Sequence, residues 1–360
     1  MRKKLKLKIS CFIFGLLFPV SIFSQNFTLA VIPDIQNYTY FKCQKEAGFP
    51  YNYSEVLFNQ MNYIKNNSIK NGGKISFAIQ LGDLVESRAA MESEWELADK
   101  ALSIIDDEVP YLVVPGNHDC DEWIHKDNSV KMHGWKEYIE HFGPESYHFK
   151  NKDYYCGSYN GLNSYAKLNI DDKKILIIGL EIEPSDDVLN WVQDILNENT
   201  DYATILFMHE YLSLVYDAYN PGFALRINTS SLRNDNLGNS PENIWNKLIK
   251  KNKQIFLVLC GHCFEGCNGE SCRTDVDIEG YKVYSFLSDY QGRAELFDEK
   301  RYPNKKRACG DGWLRFLEFD FSKNLMWVKT YSTETNEYER DRNSYFVVKF
   351  DWDWNSRFHR

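Results

Sequence analysis

Five short apolar runs, each closed by a residue able to bind a metal, constrain this chain more than any other feature. Leu29-Ala30-Val31-Ile32-Pro33 leads into Asp34-Ile35-Gln36, and Ile75-Ser76-Phe77-Ala78-Ile79-Gln80-Leu81 leads into Gly82-Asp83. Val113-Val114 stops at Pro115-Gly116 and is followed by Asn117-His118-Asp119. Ala203-Thr204-Ile205-Leu206-Phe207-Met208 leads into His209-Glu210, and Ile255-Phe256-Leu257-Val258-Leu259-Cys260 into Gly261-His262. Their length and β-branched content read as buried strands. One such strand end is commonplace, and an isolated Asn-His-Asp is more often a helix cap. Five in order point to a shared crevice, because open α/β sheets bind ligands beyond the carboxyl ends of their strands.

Helical patterns separate these strands. Val56, Leu57, Met61 and Ile64 fall on one helix face, with Gly72-Gly73 as the stop. Trp95, Leu97, Ala98, Leu102 and Ile105 mark a second helix, and Val188, Leu189, Val192 and Leu196 a third over residues 185–196. Ser240-Pro241 opens a fourth, with Ser as cap and Pro at the first position. Alternation of this kind predicts a layered α/β fold. From Tyr281 onward the pattern turns to short strands, at 283–287, 314–319, 325–331 and 345–350. No linker or internal repeat intervenes, so residues 25–333 are expected to form one domain, with 334–360 a strand extension packed on it. Residues 37–53 read as a loop over the site and 120–165 as irregular, with His125, His133, His141 and His148 as surface or packing histidines.

Residues 1–24 have the form of a secretory signal peptide: basic residues at Arg2, Lys3, Lys4, Lys6 and Lys8, then an apolar stretch, then Ser24. The expected localisation is therefore secreted or periplasmic, with no stable membrane span after cleavage. Cleavage takes the formal charge from −9 to −14, since that segment holds five basic and no acidic residues. So acidic a surface excludes nucleic-acid polymers as partners, which bind through Lys and Arg. Eight cysteines remain (Cys43, Cys120, Cys156, Cys260, Cys263, Cys267, Cys272 and Cys309), and an exported chain with an even count is expected to form disulfides. There is no Gly-x-Ser-x-Gly, Walker A or Gly-x-Gly-x-x-Gly motif, so serine-hydrolase and nucleotide-cradling chemistry lack support.

Taken together, Asp34-x-Gln36, Gly82-Asp83, Gly116-Asn117-His118-Asp119, His209 and Gly261-His262 resemble the calcineurin-like metallophosphoesterase superfamily, over roughly residues 27–333. Within it the chain is similar to secreted or periplasmic bacterial members with Asp-x-Gln in the first motif and a late Asp-Gly-Trp-Leu-Arg segment, here Asp311 to Arg315. The resemblance implies an α/β fold, a layered β-sandwich flanked by helices. It implies hydrolysis of a phosphomonoester or phosphodiester, from a small-molecule, lipid or sugar phosphate, by metal-activated water. Two divalent ions are implied, drawn from Mn, Mg, Fe or Zn, with Asp83 between them. Asp34 and Gln36 would hold the first ion, and Asn117, His209 and His262 the second. His118 would be the general acid, with Asp119 orienting it or capping a helix.

Two positions depart from the superfamily pattern. Gln36 stands where His is usual, and Gly261-His262-Cys263-Phe264 replaces Gly-His-x-His. The first metal position should therefore be weak and oxygen-rich, favouring Mg²⁺ or Mn²⁺ over Zn²⁺. Asp289 and Glu265 are alternative replacements for the lost histidine, which the sequence leaves unranked. Arg293, Arg315 and Tyr290 are expected at the pocket rim as substrate contacts, the arginines bidentate on phosphate. Glu210 is expected behind the metal ligands. The rival readings are a catalytically impaired relative that binds extracytoplasmic phosphate or glycan, and a glycosidase using Glu181 and Glu210.

Overall fold

The computed structural model describes residues 26–40, 53–126, 129–214, 224–265, 268–294 and 310–358. The expected signal peptide, most of the 37–53 segment, and Cys43, Cys267 and Cys309 lie outside the described residues. In chain order the strands are β1 Phe27–Ile32, β2 Ile75–Gln80, β3 Tyr111–Val113, β4 Glu122–Lys126, β5 Ser129–His133 and β6 Tyr155–Tyr159. Next come β7 Asn163–Ile170, β8 Lys173–Leu180, β9 Ala203–Met208, β10 Leu212–Leu214, β11 Ala224–Arg226 and β12 Ile255–Cys260. The last are β13 Glu270–Val276, β14 Lys282–Ser288, β15 Trp313–Asp320, β16 Leu325–Ser332, β17 Glu337–Tyr338 and β18 Tyr345–Lys349.

Two seven-stranded sheets form among the described residues. One runs β17-β16-β15-β1-β2-β3, with β18 also paired to β16; the other runs β13-β14-β12-β9-β8-β7-β6. At the centre of each the pairing is parallel: β1 with β2 and β2 with β3, then β8 with β9, β9 with β12 and β12 with β14. Antiparallel strands close both flanks of the second sheet and the β17 flank of the first, whose other edge is the parallel β3.

Strand alternation explains the layers. In β1, Leu29 and Val31 face one way and Ala30 and Ile32 the other. The first pair joins Phe77, Ile79, Ile175, Ile177, Ile205, Phe207, Leu257 and Leu259 in a core shared by both sheets. Ala30 and Ile32 instead pack beneath helices Ser54–Asn66 and Glu92–Leu102. On the far side, Leu176, Ile178, Leu206, Met208 and Val258 pack beneath helices Asp186–Glu198 and Pro241–Lys247. Because the central strands are buried on both faces, their sequences are nearly continuous apolar runs. The result is the expected layered sandwich flanked by helices.

The C-terminal segment completes the shared core. Phe256, fully buried, is ringed by Phe319, Phe350, Trp352, Trp354 and Phe358 at centroid distances of 5.5–6.1 Å. Arg357 donates to the carbonyls of Lys253, Lys282 and Ile255, tying the last helix to β12 and β14.

Several local expectations need correction. Gln36–Thr39 is one helical turn rather than loop, closed by Thr39 Oγ1 donating to Gln36 O. Residues 120–126 and 129–165 hold regular structure: β4 and β5 pair antiparallel, Lys136–Phe142 is a helix, and β6 pairs with β7. Their polar, aromatic composition hides a short-period pattern that only pairing reveals. No disulfide links the five described cysteines, Cys120, Cys156, Cys260, Cys263 and Cys272. Cys120 and Cys260 are buried and pack as small apolar side chains. No helix among the described residues is long and apolar enough to cross a membrane.

Candidate metal centre

The carboxyl ends of β1, β2, β9 and β12, together with the turn after β3, converge. Asp83 and His262 adopt left-handed backbone conformations, φ +53° and +73°, which aim their side chains at a common point. Non-glycine residues in that region cost about 1–3 kcal/mol and concentrate at functional sites. Close approach also explains two motif glycines. A Cβ on Gly116 would lie 2.2 Å from Asp83 Oδ1, and one on Gly261 would lie 2.1 Å from Asp34 Oδ1.

His209 is at the middle of the cluster. Its Nδ1 donates to Leu81 O at 2.9 Å, so in the neutral ring Nε2 carries a lone pair. That nitrogen faces Asn117 Oδ1 at 3.0 Å, Asp83 Oδ1 at 3.3 Å and His262 Nδ1 at 3.0 Å. Burial lowers the His209 pKa, with the Asp83 charge acting against it; burial followed by the neighbouring His209 lowers His262 to about 4. Both imidazoles are thus neutral, the state a metal ligand requires. One ligand atom each from Asp83, His209 and His262 lies within 4.8 Å of the others. On its far side His262 Nε2 stands 3.8 Å from Glu210 Oε1, the position of a carboxylate that orients a ligating histidine.

Asp34 and Gln36 flank this group. The His262 backbone N–H donates to Asp34 Oδ2 at 3.1 Å, and Gln36 Nε2 donates to Asp83 Oδ2 at 3.0 Å. Gln36 Oε1 is buried and has no hydrogen-bond partner among the described residues. A buried amide oxygen left unpaired costs roughly 1–3 kcal/mol. Oxygen and imidazole donors converging without enough protons between them fit a divalent cation, so the residues present suit the metals the motifs imply.

His118 stands beside the cluster, outside it. Its backbone N–H donates to Asp83 Oδ1 at 3.0 Å, while the ring Nδ1 meets Glu86 O at 3.1 Å and Glu86 Oε2 at 3.4 Å. Burial pulls the imidazole pKa down, but the Asp83 and Glu86 charges outweigh it and the net shift is upward. Trp123 meets the ring edge to face at 5.2 Å, and the Arg88 guanidinium lies 3.6 Å from the centroid of the Trp123 ring. Sequence reading missed Glu86 and Trp123, because neither ends a strand in register with the motifs.

Four expected residues are placed differently. Asp119 neither touches His118 nor caps a helix. Its Oδ1 accepts from Leu84 N and Val85 N at 2.7 and 3.1 Å, and its Oδ2 from Gly116 N at 2.8 Å, which locks the second motif loop to the third. Arg315, Arg293 and Tyr290 are not at a rim. Arg315 is 1% exposed, pairs with Glu270, and donates to Leu287 O and Asn343 O. Arg293 reaches Glu270 Oε2 at 3.0 Å and Glu339 Oε2 at 3.3 Å, and the Tyr290 hydroxyl donates to Glu270 Oε1 at 2.6 Å. These groups are committed to one another, so a substrate-contact role does not follow. Phe264 is 40% exposed, consistent with a side chain that cannot ligate. Glu181, needed by the glycosidase reading, is sealed against Arg233 and Asn163.

Comparison with known proteins agrees with this geometry. The chain is 28% identical over 315 residues to the uncharacterized protein YvnB of Bacillus subtilis (strain 168), which covers 86% of this chain and 20% of that protein. The chain therefore spans about a fifth of the length of that relative. A sequence model of the calcineurin-like phosphoesterase family matches residues 27–263, which carry all five motifs. The chain belongs to the calcineurin-like phosphoesterase family.

Proposed function

We propose that this protein hydrolyses phosphomonoesters or phosphodiesters of small molecules, lipid headgroups or sugars, with His118 as the general acid. The observation that carries the reading is the convergence of Asp34, Gln36, Asp83, Asn117, His209 and His262 with His118 directly alongside. Asp34 and Gln36 would hold one divalent ion, Asn117, His209 and His262 another, and Asp83 both. Such ions neutralise phosphate oxygens and lower the pKa of a bound water. His118 keeps Nδ1 against the Glu86 carbonyl, which leaves Nε2 to deliver a proton to the leaving oxygen. Its raised pKa keeps a protonated fraction near neutrality. A pure binding protein has no need of that group, which favours the enzyme over the receptor reading.

The test is turnover of p-nitrophenyl phosphate and bis(p-nitrophenyl) phosphate after EDTA treatment and re-addition of Mn²⁺, Mg²⁺ or Zn²⁺. Metal-dependent release of p-nitrophenolate is the expected result. No turnover by protein shown to carry metal would overturn the proposal in favour of a binding protein.

A further inference from the structure

We propose that Asp289 replaces the missing second histidine of the last motif and completes the Asp34/Gln36 metal position. The proposal rests on the metal-dependent reading above and goes beyond it, since Asp289 lies outside the five strand-end motifs. Phe264, which stands at the missing histidine, cannot ligate. Glu265 is exposed, and its backbone is tied to Asn268. Asp289 is different. Strand β14 lies parallel to β12 with Leu287 opposite Cys260, so two residues further on both chains reach the same end of the sheet as Asp289 and His262.

Asp289 is fully buried, and among the described residues its side chain accepts only from Gln291, backbone N to Oδ1 and Nε2 to Oδ2, each at 3.1 Å. Asn37, next to Gln36, donates Nδ2 to Gln291 O at 3.3 Å, so the turn that carries Gln36 is fastened to the segment that carries Asp289. Asp34, Asp83 and Asp289 are all buried, and no lysine or arginine among the described residues pairs with any of them. Buried carboxylates without a cationic side chain beside them take up a proton or ligate a metal, and several oxygen donors at one strand-end site favour the metal. The unpartnered Gln36 Oε1, whose amide nitrogen already touches Asp83, is independent testimony to the same missing group. Asp34, Asp83, Asp289 and Gln36 offer only oxygen, a hard donor set suited to Mn²⁺ or Mg²⁺.

The experiment compares wild type and Asp289→Asn by equilibrium dialysis against Mn²⁺ with metal analysis, and by Mn²⁺ electron paramagnetic resonance. Wild type should bind two ions per chain with an exchange-coupled signal. The variant should bind one, show the six-line spectrum of an isolated ion, and lose more affinity at the other site than the roughly 10–100-fold typical of a group that only supports a ligand. Removing one buried charge should leave melting in EDTA unchanged or higher, while the rise on adding Mn²⁺ shrinks. Should Asp289→Asn fold poorly, Asp289→Ser is read the same way. Two ions bound by the variant at wild-type affinity, or only one bound by wild type, overturns the assignment. Two ions in wild type without ester turnover would instead overturn the phosphoesterase reading and leave this one standing.

Discussion

Two clusters of buried charge sit in this molecule, and they are compensated in opposite ways. Around Glu270, Arg315 and Arg293 pair with the carboxylate while Tyr290, Thr330 and Ser344 donate hydroxyl hydrogen bonds to it. Burial alone would push Glu270 up; the two guanidinium groups outweigh it and hold the pKa at about 2. Around Asp83 the chain supplies carboxylates, neutral imidazoles and an unpartnered amide oxygen, with no guanidinium or ammonium group in contact among the described residues. The first cluster is complete within the chain and fastens β13 to β15 and β16. The second is left deficient in positive charge, and that deficiency marks it as the place where something binds. Neighbouring arginines were therefore misleading signs of a phosphate site: they serve the complete cluster.

The sharpest way to break this contrast is His118→Ala. It should keep metal content and lower turnover by roughly 10²–10⁴-fold, equivalent to about 3–5 kcal/mol of barrier. The loss should be smallest on p-nitrophenyl esters, whose leaving group scarcely needs the proton. His262→Ala should instead lose metal and activity together and regain part of both at high Mn²⁺. Loss of metal from His118→Ala, measured by elemental analysis, would place His118 among the ligands and void its assigned role.

In the complete cluster the expected effect is on stability alone. Glu270→Gln leaves two buried arginines short of a counter-charge and should cost about 3–5 kcal/mol in urea unfolding, with Mn²⁺ stoichiometry unchanged. A fall in metal content in the folded variant would show that the two clusters are not separate.

Acid sharpens the same point. Glu270 has its folded pKa depressed from 4.5 to about 2. Its stabilisation is therefore fully present above about pH 4.5 and lost as pH falls toward 2, a change of about 3 kcal/mol for one group. The stability gap between wild type and Glu270→Gln should be constant from pH 5 to 7 and narrow below pH 4. A gap independent of pH down to 2.5 would mean that the carboxylate charge is not what holds the cluster.

The smallest expected effect concerns Glu86, whose carboxylate helps to raise the His118 pKa. A general acid acts while protonated, so activity falls as pH rises through its pKa. Glu86→Gln should lower that pKa and move the alkaline limb of kcat/KM to lower pH, with metal content unchanged. An unmoved limb would show that His118 is not the group titrating there.

The convergence of Asp34, Gln36, Asp83, Asn117, His209 and His262 beside His118 was legible in the sequence because each stands within a few residues of the end of an apolar strand, and strand length, β-branching and a polar residue at the end are local signals. Helix ends were legible for the same reason: Ser240 accepts from Asn243 N, with Pro241 in the first turn. Asp289 ends a strand too, yet no local signal says that β14 lies beside β12 and not elsewhere. Glu270 and Arg315 are 45 residues apart on strands of different sheets, and only the packing of one sheet against the other buries them together. The sequence alone therefore determined which strands end in residues able to bind a metal and that the chain is a layered α/β fold. Which carboxylates meet, and which of them find an arginine, was decided by tertiary structure, because charge compensation in a dry interior depends on contacts between segments distant along the chain.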